Sequence, residues 1–353
     1  MNKFRTYFTR VLLALFVIIA AAACRKSDKE VRGEQSDPIR ALEYAVMEIP
    51  LPEKLSSPML EYSGLGWHGD VMVLLPQYPN GITGNQPGLL YGIQRGDLVN
   101  WKDDNSSRLN FFDIPFDDGG LSKTLKGFEG FESILFLEDD VYLTIETRGG
   151  NPMRSYMVKG SVEGSGPDDI MIALDKDKTI ELPQQNNYSN ASYEALTSDG
   201  EYIYALYEQY GESVNKDPIV LKIDRDLNII EEMPIDSINY RITDASLMNE
   251  NGKFWAINYF FHGDEHLKVE ADAVSDRFGL PGSHENDQRV ERLVKFRLNF
   301  ERMELIDETP LYLELLANGE SRNWEGLVVL DENTFVIVTD KFPGSLLAMV
   351  IIE

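Results

Sequence analysis

A repeated pattern constrains this chain more than any other feature of its sequence. In each copy a polar residue precedes a small one, an apolar run follows, and a turn leads into a β-rich run ending in another polar residue. The first polar positions are Ser63, Glu132, Glu194, Asp244 and Glu325, and the second, fourteen residues later in every copy, are Gln77, Glu146, Glu208, Asn258 and Thr339. Such a repeat indicates an array of similar structural units.

The copy from Tyr193 to Ile235 shows what one unit contains. Its Asp199-Gly200 pair is a hairpin signal between two β-rich runs, and two further runs follow. Four strands in about forty residues are typical of a propeller blade. We therefore predict an all-β, five-bladed β-propeller, or a six-bladed one if the long interval after Asp244 holds another unit. The strand at Tyr44–Pro50 and three strands at the C-terminal end are expected to close the ring.

That interval, Phe260 to Gln288, is interpreted as an excursion loop on one face, because the hairpin at Leu293–Leu305 already completes the fourth unit. His262 and His266 have the spacing of a zinc-ligand pair on a helix. Gly263 and the acidic residues beside it favour a loop, which argues against zinc.

The N-terminal residues predict export and lipidation. A basic head, an apolar run at Val11–Ala23 and then Cys24, the chain's single cysteine, resemble a bacterial lipoprotein signal. The resemblance implies that Cys24 is lipidated (palmitate-type) and anchors the protein at the cell envelope. The expected membrane is the outer one, and the sequence does not say which leaflet. The charged residues after Cys24 resemble Bacteroidetes surface-export signals. A silent cysteine in an ordinary signal peptide is the alternative. The predicted organisation is a signal peptide at 1–23, a tether at 24–40 and a propeller domain at 41–353.

The charge of the chain excludes one class of partner. With 59 acidic and 33 basic residues, the formal net charge is −26. Nucleic acid binding needs cations that displace phosphate counterions, so we do not expect it. An acidic surface favours cations, although solubility alone also explains such a charge.

Symmetry predicts where the repeated acids lie. In a closed propeller Glu132, Glu194, Asp244 and Glu325 form a ring at one mouth of the central channel, with Ser63 as the uncharged fifth member. Crowded carboxylates either take up protons or capture a cation, and calcium accepts such oxygen ligands. Alternatively, each acid accepts hydrogen bonds from backbone N–H groups of the neighbouring blade.

A second polar ring is expected on the same face. Gln77, Glu146, Glu208 and Asn258 return to it after two strands, and Asp340 replaces Thr339 if that turn is one residue longer. Arg148 and Lys341 follow these positions directly. Either residue is a catalytic candidate that could hold an anionic group beside a metal, or a salt-bridge partner of the surrounding acids.

The segments Tyr193-Glu194-Ala195-Leu196 and Trp324-Glu325-Gly326-Leu327 resemble the phytase-like/SdiA-regulated group of β-propellers. The resemblance implies a calcium-occupied channel with the ring acids as ligands and, for some members, hydrolysis of phosphoesters or esters. Ser63 departs from the pattern, and no basic cluster for phosphate is evident. We expect an envelope-anchored module that binds a ligand or partner on the channel face. The alternative is a calcium-dependent phosphoesterase or esterase, and the sequence leaves open whether the protein is an enzyme.

Overall fold

The computed structural model describes residues 40–83, 87–148, 153–188, 190–261 and 263–352. The signal peptide, Cys24 and nearly all of the tether lie outside these residues. The described chain is almost entirely β, which confirms the predicted all-β propeller type. Among its helices, none has the length and apolar character that crossing a bilayer requires.

Most neighbouring strands pair antiparallel, and the exceptions are the parallel pairs of β6 with β10 and of β1 with β19, whose ranges follow. Near the N-terminus lie β1 (Leu42–Tyr44) and β2 (Met47–Ile49). The first unit contains β3 (Tyr62–His68), β4 (Val71–Pro76), β5 (Gly88–Gln94) and β6 (Phe112–Asp117). The second contains β7 (Phe128–Leu137), β8 (Asp140–Thr147), β9 (Arg154–Glu163) and β10 (Met171–Leu182). The third contains β11 (Tyr193–Ser198), β12 (Ile203–Tyr207), β13 (Ile219–Ile223) and β14 (Ile229–Pro234).

The remaining strands form two further units. The fourth contains β15 (Arg241–Ala245), β16 (Lys253–Phe260), β17 (Val290–Leu298), β18 (Met303–Leu305) and β19 (Leu311–Leu313). The fifth contains β20 (Trp324–Asp331), β21 (Thr334–Thr339) and β22 (Leu347–Ile351). Each of the five units begins with one strand of the repeated pattern, and the first two units belong to one eight-stranded sheet.

Short helices occur in the connections between strands. The α-helices are α1 (Pro79–Thr83), α2 (Arg95–Asp103), α3 (Leu121–Thr124) and α4 (Ala273–Phe278), and the 3₁₀ turns are Glu265–Leu267 and Gly282–His284. The excursion predicted at Phe260–Gln288 holds α4 and both 3₁₀ turns. Within its described residues it adds no strand between β16 and β17, as the sequence predicts.

The hairpin predicted at Asp199-Gly200 shows why the sequence forms these turns. Gly200 has a φ of +92°, a conformation that glycine adopts at little cost. The Asp199 carboxylate accepts hydrogen bonds from the backbone N–H groups of Glu201 at 2.9 Å and Tyr202 at 2.8 Å. The turn residues therefore satisfy their own backbone before β12 begins.

The first strand of each unit lies at the centre of the molecule. These inner strands contact one another in the order β3, β7, β11, β15, β20, and β20 in turn contacts β3. The large apolar clusters lie between neighbouring units; one of them joins Leu65 and Tyr91 of the first unit to Val328 and Val338 of the fifth. Closing the ring therefore buries the apolar face of each sheet against the next.

Residues near both ends of the chain meet in the structure. β2 pairs antiparallel with β22, from Met47 opposite Met349 to Ile49 opposite Leu347, which completes the fifth unit as predicted. The single strand predicted at Tyr44–Pro50 is wrong in one respect. It is divided, and β1 pairs in parallel with β19 of the fourth unit. The N-terminal segment thus joins two neighbouring units.

Ring closure depends on a glycine where the fifth unit packs on the first. A Cβ atom added at Gly326 would lie 2.6 Å from Val338 Cγ1 and 2.8 Å from Leu65 Cγ, closer than carbon atoms approach. We expect Gly326→Ala to lower the free energy of unfolding by about 1–3 kcal/mol, the usual cost of overpacking a core. Chemical denaturation measures this change.

Gly96→Ala is the matched control for Gly326→Ala. Gly96 is exposed in α2, and an added Cβ there meets nothing within 4 Å. Alanine favours a helix, so this variant should be neutral or slightly stabilising. Equal stability of the two variants would show that the contact across the closure is not tight.

Candidate functional site

The repeated polar residue lies on a β-bulge in all five inner strands. Pairing of the first two strands skips one residue at Ser63, Glu132, Glu194 and Glu325, and the fourth unit has the same extra residue at Thr243–Asp244. A bulge reorients the side chain that it inserts. In four of the five units this irregularity turns the repeated residue, Ser63, Glu132, Glu194 or Glu325, towards the centre of the ring, which is why a sequence repeat becomes a cluster in space.

A cavity of about 370 Å³ lies at this end of the inner strands. It contains four of the five residues of the first predicted ring and two of the second. Its carboxyl-bearing lining residues are Glu61, Glu129, Glu132, Glu146, Glu194, Asp264, Glu325 and Asp340, its basic ones are Arg148, Arg241 and Lys341, and its other polar ones include Ser63, Gln77, Asn190 and Asn323. Tyr78, Tyr259 and Phe261 add aromatic surface.

Two buried acids, Glu132 and Glu194, and the partly buried Glu325 lie close enough together to influence each other's ionisation. Burial, and then the charges of Glu146 and Glu194, raise the pKa of Glu132 well above its usual value. Burial raises the pKa of Glu194 to about 8, although Arg241 opposes the shift. The pKa of Glu325 is also raised well above its usual value, by burial and then by the charges of Glu194 and Asp340.

Two further acids complete this set. Burial raises the pKa of Glu146 to about 7 and that of Asp340 to about 6. We call the end of the channel lined by Glu132, Glu146, Glu194, Glu325 and Asp340 the acidic mouth. At about pH 6 these groups still hold protons, wholly or in part, that exposed carboxylates would have lost.

Three of these five acids accept a hydrogen bond from a neutral donor, and for Asp340 that donor is the backbone N–H of Phe342 at 2.7 Å. Gln77 Nε2 donates to Glu132 Oε1 at 2.9 Å, and the Tyr259 hydroxyl donates to Glu325 Oε1 at 3.0 Å. Glu146 Oε1 is buried and has no hydrogen-bond partner among the described residues. A buried acceptor without a donor is unfavourable, so this atom is ready to accept a bond from a bound group.

Arg241 is the main site residue that the sequence analysis missed. Its guanidinium holds Asp264 with two bonds, Nε to Oδ2 at 2.6 Å and Nη2 to Oδ1 at 2.9 Å, and forms an ion pair with Glu208. Arg241 precedes Asp244 by three residues, at the start of β15. A basic residue that close to a repeated acid is the only sequence signal, and it is weak. The sequence analysis also missed two lining residues of the excursion loop, Phe261 and Asp264. The other missed lining residues lie in connections or at strand ends, which the repeat does not mark: Glu61, Tyr78, Glu129, Asn190 and Asn323.

The two basic candidates from the sequence lie in the cavity lining. Arg148 Nη1 is 3.5 Å from Glu129 Oε2, and Lys341 Nζ is 2.8 Å from Glu61 Oε2. Both basic side chains are exposed, so these pairs are weak and can exchange partners. Each pair neutralises a peripheral acid, and the basic side chains act on the acids of the acidic mouth only through longer-range charge, without a salt bridge among the described residues.

Asp244 does not line the cavity with the other ring acids. Its carboxylate accepts the backbone N–H groups of Ala245 at 2.8 Å and Leu327 at 2.7 Å, which joins the fourth unit to the fifth. This is the alternative arrangement considered from the sequence, in which an acid accepts hydrogen bonds from backbone N–H groups of the neighbouring blade. The aspartate side chain is one methylene shorter than glutamate, and it stays against the backbone.

Three members of the second ring also lie elsewhere. Glu208 is fully buried beside Arg241, and Asn258 donates to the backbone carbonyls of Asn239 and Arg241 at 2.9 and 3.0 Å. Thr339 donates to the Gly344 carbonyl at 2.6 Å, and the next residue, Asp340, lines the cavity instead. Glu208 and Asn258 thus hold Arg241 in place rather than face the cavity.

The described residues contain no group of three or more histidine, cysteine, aspartate and glutamate side chains placed to hold a metal ion. Of the two histidines weighed as a zinc pair, His262 lies outside the described residues. His266 packs on Tyr188 and lies 3.2 Å from Gln209 Nε2, which is a structural environment.

No protein-family model matches the chain, and no curated protein matches it. Its fold is similar to those of several solved β-propeller structures. They include an aldose sugar dehydrogenase from Escherichia coli (10% identity, 84% of this chain and 97% of the other, TM-score 0.40) and RS223-β-xylosidase (11%, 86% and 94%, TM-score 0.45). The α-L-arabinanase of Cellvibrio cellulosa is similar at 10% identity over 82% of this chain and 90% of the other, with a TM-score of 0.42. Such likeness carries no information about substrate or mechanism.

The raised pKa values predict how stability changes with pH. Between the usual glutamate pKa, about 4.5, and the folded value of about 8, Glu194 binds more proton in the folded protein than in the unfolded chain. Stability should therefore be greatest near the lower limit and fall as the pH rises through this window. In Glu194→Gln the fall should be smaller by an amount on the order of a few kcal/mol. Thermal unfolding across the window, without divalent cations, measures it.

Glu250→Gln is the control for that experiment. Glu250 is exposed in the turn between β15 and β16, and its substitution removes the same charge without touching the cavity. Its unfolding profile should follow that of the native chain. Parallel profiles for Glu194→Gln and the native chain would show that Glu194 does not retain its proton in the folded state.

Proposed function

We propose that the acidic mouth binds a hard cation, for which calcium is the best candidate, and uses the channel face to hold a ligand or partner. The observation that supports this proposal is the way in which the charged side chains of the cavity are paired. Each basic residue of the cavity, Arg148, Arg241 and Lys341, is paired with an acid outside the acidic mouth. Within the described residues, no salt bridge reaches the five acids of the acidic mouth.

The donor chemistry of the acidic mouth fits such an ion. Its donors are carboxyl oxygens, with Ser63 and Gln77 beside them, and calcium accepts six to eight oxygen ligands in loose geometry. The buried, unpartnered Glu146 Oε1 offers a further oxygen. Glu132, Glu194 and Glu325 would hold the ion with Glu146 and Asp340. Because the acids do not converge in the described arrangement, binding would have to displace their protons and draw them together.

Calcium binding is expected to give a measurable heat and to raise the unfolding temperature. At a hundredfold excess over the dissociation constant, the stabilisation should be about 2.7 kcal/mol, because only the folded chain binds. Isothermal calorimetry of the purified protein with calcium chloride measures the heat, and thermal unfolding with calcium and with a chelator measures the stabilisation. Glu194→Gln and Glu325→Gln should weaken binding at least tenfold.

The calcium experiment has a matched control variant and a result that would contradict the proposal. Glu250→Gln, which removes an exposed acid far from the cavity lining, should bind calcium as the native chain does. Identical unfolding with calcium and with chelator, together with no heat of binding, would contradict the proposal.

A second candidate is hydrolysis of a phosphoester or ester at the same mouth. The observation that favours it is the pair Glu146 and Glu194, whose pKa values of about 7 and about 8 suit general acid and base roles near neutral pH. Arg148 and Lys341 at the cavity wall could hold an anionic group. Calcium-stimulated turnover of p-nitrophenyl phosphate that Glu194→Gln abolishes would favour this candidate over binding alone.

We further propose that the protein is anchored in the cell envelope through a lipidated Cys24. The support is the signal-like sequence before it, the chain's single cysteine and the charged tether after it. Two or more acyl chains give stable anchoring, at about 0.8 kcal/mol for each buried methylene. We expect Cys24→Ser to move the protein from the membrane fraction to the soluble fraction. Fractionation and mass spectrometry of the N-terminal peptide measure this, and Ser27→Ala is the control.

An unchanged distribution of the Cys24→Ser protein would contradict lipid anchoring. An unmodified Cys24 in the mature N-terminal peptide would do the same. Either result would favour the ordinary secretory signal that the sequence left as the alternative.

A further inference from the structure

The other end of the channel contains a second cavity with the opposite chemistry. The acidic mouth lies near the beginnings of the inner strands, as Ser63 does in β3 and Glu325 in β20. Trp67 and Val329, at the far ends of those two strands, line a separate cavity of about 410 Å³. We call it the apolar mouth, and its aliphatic lining includes Leu65, Ile134, Leu196, Leu247, Leu327 and Val329. All five inner strands or their immediate extensions contribute to it.

The apolar mouth is open to solvent at one position in particular. Leu65, Leu196 and Leu327 are buried, whereas Leu247, which follows β15, is 44% exposed. A large apolar side chain at the entrance of an apolar cavity is unfavourable in water and becomes favourable when a ligand covers it. A concave, mostly apolar cavity of this size is typical of small-molecule sites.

A single basic residue is fixed in the lining of the apolar mouth. The guanidinium of Arg95 lies over the Trp67 ring, 3.8 Å from its centroid, and Arg95 Nη1 donates to the Leu330 carbonyl at 2.8 Å. Trp67 is fixed in turn, since its Nε1 donates to the Val329 carbonyl at 3.1 Å. Two contacts with the fifth unit therefore hold the cation in position.

The charge of Arg95 is only weakly neutralised. The nearest acid is Asp70, with Oδ1 3.5 Å from Arg95 Nε, and the Asp70 side chain is 82% exposed. An exposed pair at this distance contributes little and leaves the guanidinium able to bind another anion. Arginine is suited to this role because its fork of N–H donors matches a carboxylate.

We propose that the apolar mouth is a second ligand site, which takes an amphiphile with an apolar body and an anionic head group. The body fills the leucine-lined cavity and covers Leu247, while the head group, a carboxylate in the simplest case, binds Arg95. The acidic mouth and the apolar mouth share no lining residue, so this site does not depend on the proposed cation site.

Octanoate is a suitable probe, since it combines an eight-carbon body with a carboxylate. Calorimetry of the full chain should show octanoate binding, and octylammonium, with the same body and a positive head group, should bind at least tenfold more weakly. Arg95→Met should weaken octanoate about tenfold, the effect of losing one charge-assisted hydrogen bond. Asp70→Asn should strengthen it, because it removes the competing carboxylate.

Lys222→Met is the matched control for Arg95→Met. Lys222 also lies over an aromatic ring, 4.0 Å from the centroid of Tyr202, so its substitution removes the same charge and the same kind of contact elsewhere on the molecule. It should leave octanoate binding unchanged. Leu247→Asp, at a side chain exposed enough to be replaced without unfolding, should abolish binding.

Three results would overturn the proposal: no octanoate binding by the native chain, equal affinity for octanoate and octylammonium, or octanoate affinity unchanged in both Arg95→Met and Leu247→Asp. Glu194→Gln separates the two sites. It should weaken calcium binding and leave octanoate binding as it is, so failure of one proposal does not imply failure of the other.

Discussion

One extra residue, inserted at the same point of every inner strand, determines the arrangement of the channel. Side chains alternate between the two faces of a regular strand, and a single inserted residue changes which face each later side chain takes. In this protein the insertion turns Ser63, Glu132, Glu194 and Glu325 towards the axis of the ring. The bulge also interrupts the ladder, and a backbone group beside it can bond to the neighbouring unit instead, as the Phe131 carbonyl does when it accepts from Ser63 Oγ.

The electrostatics of the channel follow from this geometry. Several carboxyl groups are brought out of water at one place, which raises the free energy of their charged forms. Arg241 offsets part of this cost from one side, where Glu208 and Asp264 hold its guanidinium. A second buried pair, Arg292 with Asp272, lies next to it, and Arg292 Nε donates to Asn258 Oδ1 at 2.8 Å. The fourth unit thus supplies a rigid ionic support, while the acids of the other units keep protons.

Much of this fold could be predicted from the sequence, because the repeat records local structure. Turn residues such as Asp199-Gly200 and the alternation of apolar residues identify hairpins, and the spacing of the copies identifies units. The approximate neighbourhood of Glu132, Glu194 and Glu325 followed from symmetry alone.

Symmetry could not predict how each unit uses its acid. Asp244 occupies the same place in the repeat as Glu194, yet its shorter side chain bonds to backbone N–H groups. Arg241 and Asp264 belong to one unit only, so no periodicity marks them. The division of the N-terminal segment between β19 and β22 was also beyond prediction, since it depends on tertiary pairing of two very short strands.

The pairing of β2 with β22 has a consequence for how the molecule is made. During synthesis the segment at Met47–Ile49 emerges about 300 residues before its partner at Leu347–Ile351. Contacts between such distant residues carry a large entropic cost and form slowly. Until they form, the edge of β22 that β2 covers stays open to strands of other molecules. A chain in which β2 and β22 have not yet paired is therefore a natural client for chaperones, and its tendency to aggregate should fall once they pair.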